Sequence, residues 1–358
     1  MSGYSPTGMA REMGAGERQG KLKIFLGYAA GVGKTYQMLT ETRHLRDLGH
    51  DVAIAYFEPH ARKDTIALTE GLDAIPRKRY EYRGAIFEDM DTEGVIARKP
   101  EVAAVDEFAH TNAPGAPRVK RWQDVMEIRS AGIDVLTSMN VQHIESLNDQ
   151  VWYITGIRVR ETVPDWVVRE AAEVVMVDVT PRALLHRLER GVVYAPDKAR
   201  SAMEHFFTES NLTALRELAM RQAAHHLDAK IETSYEPSPW FRAPAAEKIL
   251  LWLTPDRSCA ALIRRAWRVA DYLGASCTAV YARPDSAGVE QWLRFCRELR
   301  IETYCVDGHD VPRAIVESAR RRGITQIYVT RAAREVNLLV DLARDMQVTV
   351  VAERVREK

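Results

Sequence analysis

Gly27-Tyr28-Ala29-Ala30-Gly31-Val32-Gly33-Lys34-Thr35 is the stretch that decides how this chain is read. It follows an apolar run, Leu22 to Leu26, that reads as a strand. It precedes a segment in which Met38, Leu45 and Leu48 share one helical face, with Gly49 as the stop. A phosphate-binding loop needs this context: a strand to anchor it and a helix whose N-terminus faces the anion. Gly31 and Gly33 permit the backbone angles of such a cradle, and Val32 lies between them. Lys34 would reach the β- and γ-phosphates of ATP, and the Thr35 hydroxyl would ligate Mg²⁺. The usual spacing, glycine then four residues then Gly-Lys, puts the first glycine at position 28, where Tyr28 stands. Gly27 lies one residue early. Tyr28 either distorts the cradle or caps the nucleotide.

A second segment supports the first. Glu101-Val102-Ala103-Ala104-Val105-Asp106-Glu107 is an apolar strand ending in two carboxylates. Asp106 is placed to make a second Mg²⁺ contact, and Glu107 to polarise a water for attack on the γ-phosphate. Glu58 and the run Thr137-Ser138-Met139-Asn140 are further polar strand ends. Ligands bind outside the carboxyl ends of strands in such sheets. Asn140 senses the γ-phosphate or orients water, or it caps the next helix. The loop Ala109-His110-Thr111-Asn112-Ala113-Pro114-Gly115 runs into a basic stretch, Arg118-Val119-Lys120-Arg121-Trp122. That combination reads as a mobile lid, a partner surface or a solvated face.

The apolar runs Leu22–Leu26, Val52–Phe57, Val102–Val105, Ile133–Leu136 and Val174–Val179 lack alternation. Strands of this kind are buried on both faces of a parallel sheet. Residues 181–235 read as mostly helical, with a stripe of Leu212, Leu215, Leu218 and Ala219 and Asn211 as N-cap. Residues 236–246 form a Pro- and Ser-containing linker. From 247 to 358 a second alternation predicts a five-stranded α/β domain. The expected organisation is a disordered tail over 1–20, a nucleotide-binding domain over 21–180, a helical extension over 181–235, the linker, and the second α/β domain.

Lys and Arg together number 50, as do Asp and Glu, so no global field points to nucleic acid or to a membrane surface. No apolar run approaches the about 20 residues of a membrane helix. Cys259, Cys277, Cys296 and Cys305 form no CxxC pair and read as reduced thiols. The expectation is a cytoplasmic chain without direct membrane insertion. His60, His110 and His143 have no metal-ligand spacing.

Together these segments resemble the N-terminal region of the KdpD family, the osmosensitive potassium sensor histidine kinases. The resemblance rests on Lys21 to Gly27, Gly31 to Thr35, Asp106-Glu107 and Ala109 to Gly115. It extends through Lys120 to Asp124, Asn140 to His143, Glu145 to Asp149, Val159 to Asp165 and Asn211 to Ala219. It implies a cytoplasmic region that receives signals and tunes a downstream transmitter, with an ATP site at Gly33, Lys34, Thr35 and Asp106. The fold it implies is a P-loop NTPase-like parallel sheet flanked by helices, then a domain like the universal stress proteins. Its partners would be a histidine kinase transmitter or potassium-transport regulatory proteins. Some family members bind cyclic diadenylate in the second domain. Cys277-Thr278-Ala279-Val280-Tyr281 matches one of the two elements used there except at Cys277, and Thr254-Pro255-Asp256 matches the other poorly. The expected role is to modulate a histidine kinase rather than to phosphorylate, since no phospho-accepting histidine box or kinase lid is recognisable. The alternatives are a stand-alone P-loop ATPase or small-molecule phosphotransferase, and a scaffold in which Tyr28 blocks the loop.

Overall fold

The computed structural model describes residues 18–59, 62–190, 206–234, 247–331, 333 and 335–352. Most of the tail expected over 1–20, all of the linker at 236–246 and His60 lie outside the described residues. The chain divides into two compact units, Met1–Ile24 with Thr35–Ser138, and Phe25–Lys34 with Met139–Lys358.

Strand β1 (Leu22–Gly27) leads through the glycine loop to helix α1 (Lys34–Asp47). Then come β2 (Val52–Tyr56), α2 (Lys63–Ala67), β3 (Asp73–Ala74), β4 (Lys78–Tyr82), β5 (Ala85–Asp89) and α3 (Thr92–Arg98). Strand β6 (Val102–Val105), α4 (Arg121–Ser130) and β7 (Asp134–Asn140) follow. In the first unit β2 pairs in parallel with β3 and β6, and β6 with β7. Every residue of β2 and β6 is buried, as the unalternating Val and Ala runs predict. The face of α1 that is buried is Met38, Leu39 and Thr42. Leu48, expected on that face, lies past the helix end and is exposed, because the chain already turns at Gly49 (φ 93°). The antiparallel hairpin β4–β5 was not expected from the sequence. Its residues are mostly exposed and carry charges on both faces, so no apolar period marks it.

The second unit contains α5 (Asn148–Thr155), α6 (Asp165–Arg169), β8 (Glu173–Met176), α7 (Pro181–Glu189) and α8 (Glu209–Ser234). Helix α7 starts on a Thr-Pro pair, in which the Thr180 hydroxyl accepts the Ala183 N–H at 3.3 Å. Helix α8 is capped by Thr208, whose hydroxyl accepts the Asn211 N–H at 3.2 Å. Asn211 is therefore in the first turn and not the cap; the helix begins three residues earlier than the apolar stripe shows. The six-stranded sheet has the order β3-β2-β6-β7-β1-β8.

The remainder of the second unit runs β9 (Lys248–Leu253), α9 (Cys259–Tyr272), β10 (Ser276–Ala282), α10 (Glu290–Glu298), β11 (Glu302–Val306), α11 (Val311–Arg322), β12 (Gln326–Thr330), α12 (Val336–Leu342) and β13 (Gln347–Val351). These strands form a parallel five-stranded sheet, ordered β11-β10-β9-β12-β13. Alternate residues of β9 serve opposite cores. Ile249, Leu251 and Leu253 pack with Leu262, Ile263 and Ala266 of α9, while Leu250 and Trp252 pack with Ile315, Val316 and Ala319 of α11. Both sheets are flanked by helices, giving an α/β fold. All four cysteines are free. Among the described residues no helix is long and apolar enough to cross a membrane.

Candidate functional site

The glycine loop takes the backbone shape that its sequence requires. Gly31 (φ 90°) and Gly33 (φ 108°) lie in the left-handed region, where a side chain is strained. Gly27 serves a different purpose. A Cβ there would meet Val32 Cγ2 at 2.6 Å and Lys34 Cδ at 2.8 Å, so the loop closes on the strand end only because position 27 has no side chain. Lys34 donates from Nζ to the Ala29 carbonyl across the loop at 3.2 Å. Arg187 of α7 donates to the Gly31 carbonyl at 3.1 Å and to that of Val32 at 3.4 Å. Tyr28 is fully buried, and its hydroxyl donates to the Val179 carbonyl at 2.9 Å. Its ring is packed into the protein rather than standing in the loop.

In the first unit Thr35 heads α1 and donates to the Asp106 carboxylate, 3.1 Å from Oδ1 and 3.3 Å from Oδ2. Ser138 of β7 donates to Asp106 Oδ1 at 2.6 Å. The parallel register sets Val105 beside Thr137, so the next residues along, Asp106 and Ser138, are neighbours. Asp106 is 1% exposed. Two hydroxyls thus hold a buried carboxylate at a strand end, the kind of oxygen-rich arrangement a hard cation such as Mg²⁺ takes. Glu107 has a left-handed backbone (φ 55°), which for a glutamate costs energy and clusters at functional sites. Asn140 ends β7, makes no capping bond to the following turn, and its Oδ1 is buried without a hydrogen-bond partner.

Below the strand end lies a buried cation. Arg121 is completely buried, donates to Asp89 Oδ1 at 2.6 Å and to the Asp106 carbonyl at 3.3 Å, and stacks its guanidinium 3.6 Å from the Tyr56 ring centre. Of the sequence readings for the basic stretch, a solvated face fails at this residue: Asp89 and the aromatic ring compensate its charge inside the protein. The loop after Asp106 is also fastened. The Ala113 N–H donates to Asp89 Oδ2 at 2.7 Å, and the Asn112 side chain donates to the Arg118 carbonyl at 3.0 Å and to Asp124. Glu58 accepts from Tyr56 at 2.9 Å and from Arg77 at 3.2 Å. Burial pushes the Tyr56 phenol up to about 12.

The sequence points to Ser138 only as part of the polar strand end at 137–140, and leaves Asp89 and Arg187 unmarked. Ser138 was legible as the register neighbour of Asp106, although Asn140 drew the attention. Asp89 sits in the hairpin that carries no apolar period. Nothing in the spacing of α7 marks Arg187.

The family profile for KdpD, described as the osmosensitive K+ channel His kinase sensor domain, matches residues 18–227. The chain is 41% identical over 338 residues to the sensor protein KdpD of Escherichia coli strain K12, covering 90% of this chain and 37% of that protein. It is 40% identical over 325 residues to the putative sensor protein KdpD of Synechocystis sp. strain PCC 6803, covering 88% of this chain and 87% of that protein. The chain thus spans about 37% of the Escherichia coli relative. Among solved structures, a universal stress protein in complex with cAMP aligns over 31% of this chain and 100% of its own, at 20% identity and a TM-score of 0.26. The match over 18–227 and the identity to a relative covered along most of its length lead to one conclusion: this chain belongs to the KdpD sensor-domain family.

Proposed function

We propose that this chain is a nucleotide-dependent regulatory module of potassium and osmotic signalling, which binds ATP with Mg²⁺ and modulates a histidine kinase. The observation that carries the reading is the convergence of the Thr35 and Ser138 hydroxyls on the buried Asp106 carboxylate, on the helix that the glycine loop opens. Gly31, Val32 and Gly33 would present main-chain N–H groups to the phosphates, and Lys34 would exchange the Ala29 carbonyl for them. Thr35 and Asp106 would hold the metal, directly or through water. Bound Mg²⁺ would supply charge neutralisation between the β- and γ-phosphates. Asn140, with its unpartnered Oδ1, would accept from a water and orient it on the γ-phosphate side. The parallel pairing of β6 with β7 supports this reading, because it brings Ser138 beside Asp106.

The kinase-directed part of the reading rests on family membership and is tested in cells. The region 18–352 is exchanged into the Escherichia coli relative, and expression from a potassium-responsive promoter is followed. The exchange should preserve the response to potassium, and Lys34→Ala within it should shift the response threshold. A response identical with and without Lys34→Ala would remove the nucleotide from the regulation.

A second reading, slow ATP hydrolysis, is favoured by the strained backbone of Glu107. Glu107→Gln should then abolish phosphate release while leaving ATP binding intact.

A further inference from the structure

A cleft of about 590 Å³ opens in the second unit between α5 and α9. No residue of the glycine loop lines it, and Val351 and Ala352 at the carboxyl end of β13 complete its wall. Five arginines line it, Arg158, Arg257, Arg264, Arg265 and Arg268, against one carboxylate, Asp149. Three of them are engaged. Arg264 donates to Glu145 at 2.8 Å, Arg268 donates to Asp149 at 2.7 Å and to the Ser146 carbonyl, and the Arg158 guanidinium lies 4.8 Å from the Trp152 ring centre. Arg257 and Arg265 are exposed, and among the described residues neither side chain has a hydrogen bond or a close ion pair, although the Asp256 carboxylate feels the charge of Arg257. Arg257 stands in the turn that precedes α9, and Arg265 lies in the second turn of that helix. At the rim stand Tyr153 and Tyr272, both among the exposed large side chains, with Tyr272 79% exposed.

Five guanidinium groups gathered around a concavity cost repulsion unless an anion offsets it. Glu145 and Asp149 satisfy two of them and leave Arg257 and Arg265 to solvent. Guanidinium forks match phosphate oxygens in bidentate geometry. The volume lies in the range of small-molecule sites. A volume of about 590 Å³ exceeds what one phosphate fills, whereas a chain of phosphates can meet arginines from both segments. We propose that this cleft binds an oligophosphate anion, with Arg257 and Arg265 as its primary contacts and Arg264 and Arg268 exchanging their carboxylate partners for it. A nucleoside attached to the phosphates would stack on Tyr272 or Tyr153. Because most of the lining comes from residues 148–158 and 257–273, occupancy would replace the ion pairs that now join these two segments.

The test uses the full chain carrying Lys34→Ala, so that the glycine loop does not report, and sodium tripolyphosphate without magnesium as the probe. Calorimetry should show one site, with affinity that falls as salt rises. Adding Arg257→Gln and Arg265→Gln should weaken binding by about tenfold or more, the loss of charge-assisted contacts. Both positions are exposed, and an unchanged circular dichroism spectrum checks that the fold is kept. Repeating the titration with ATP and with Tyr272→Ala separates the sources: a loss confined to ATP identifies a nucleoside polyphosphate, and equal behaviour identifies inorganic polyphosphate. Absence of tripolyphosphate binding to the Lys34→Ala chain, or binding undiminished by the two arginine substitutions, would overturn the proposal.

Discussion

The hydroxyl of Tyr28 donates to the main-chain carbonyl of Val179 at 2.9 Å, tying the start of the glycine loop to the segment that follows β8. The position at which regular spacing calls for a glycine therefore holds a strut. Burial pushes the Tyr28 phenol up to about 12, with the charge of Asp178 adding to it, so the group stays protonated and remains a donor near neutral pH. Tyr28→Phe should leave the Val179 carbonyl without this donor and cost about 1–2 kcal/mol, read by urea unfolding. Nucleotide affinity should stay within about threefold, a change of less than 1 kcal/mol. A large loss of affinity with unchanged stability would show that Tyr28 contacts ligand.

Gly27 is the glycine that the loop needs for space. Gly27→Ala puts a methyl group against Val32 Cγ2 and Lys34 Cδ at under 3 Å. The lysine stem must move, and ATP affinity should fall by about tenfold or more, in line with the cost of overpacking. The melting temperature checks that the fold survives. Unaltered affinity would mean that Lys34 is free to shift without consequence.

Arg121 and Asp89 form a buried ion pair at 2.6 Å. Arg121→Met leaves Asp89 charged and buried and should destabilise the chain by about 3–5 kcal/mol. Asp89→Asn combined with Arg121→Met removes the charge, keeps an acceptor for the Ala113 N–H, and should recover most of this, as measured by chemical denaturation. A double variant no better than the single one would show that Arg121 acts chiefly through the Asp106 carbonyl and the Tyr56 ring.

Asp165 carries a pH dependence. Its Oδ2 accepts the Ser146 N–H at 3.0 Å, and burial, aided by the charges of Asp271 and Glu145, pushes its carboxyl up to about 6. The folded chain holds this proton more tightly than the unfolded one. The contribution of Asp165 is therefore most favourable below the ordinary carboxylate range, declines as pH rises to about 6, and is level above that. Asp165→Asn keeps an acceptor for Ser146 and removes the charge. It should raise stability at pH 7.5 by about 3 kcal/mol and leave it little changed near pH 4. Parallel stability profiles for the two chains would contradict this.

The strands of both sheets other than β3 were legible, most clearly β2, β6, β9 and β12, whose apolar runs are buried on both faces; β3 is two exposed residues, Asp73 and Ala74, with no apolar run. The hairpin β4–β5 was not legible, because Lys78, Arg79, Glu81 and Glu88 give it no apolar face; its signal was the turn at Arg83-Gly84, both with positive φ. Thr35 and Asp106 were readable from motif and strand end, and they meet in the structure. Arg121 reads as a surface cation, since a charge run carries no sign of burial. Only the fold puts Asp89 and Tyr56 around it.

The most direct test of the central claim is a calorimetric titration of Mg²⁺·ATP into the wild-type chain and into Lys34→Ala. The expected result is saturable binding at the glycine loop in the wild type, distinct from any at the Arg257–Arg265 cleft, and weakened by about tenfold or more in the variant through loss of a charge-assisted contact to phosphate. Equal and negligible heats in both chains would contradict it, and would leave the glycine loop as a structural turn.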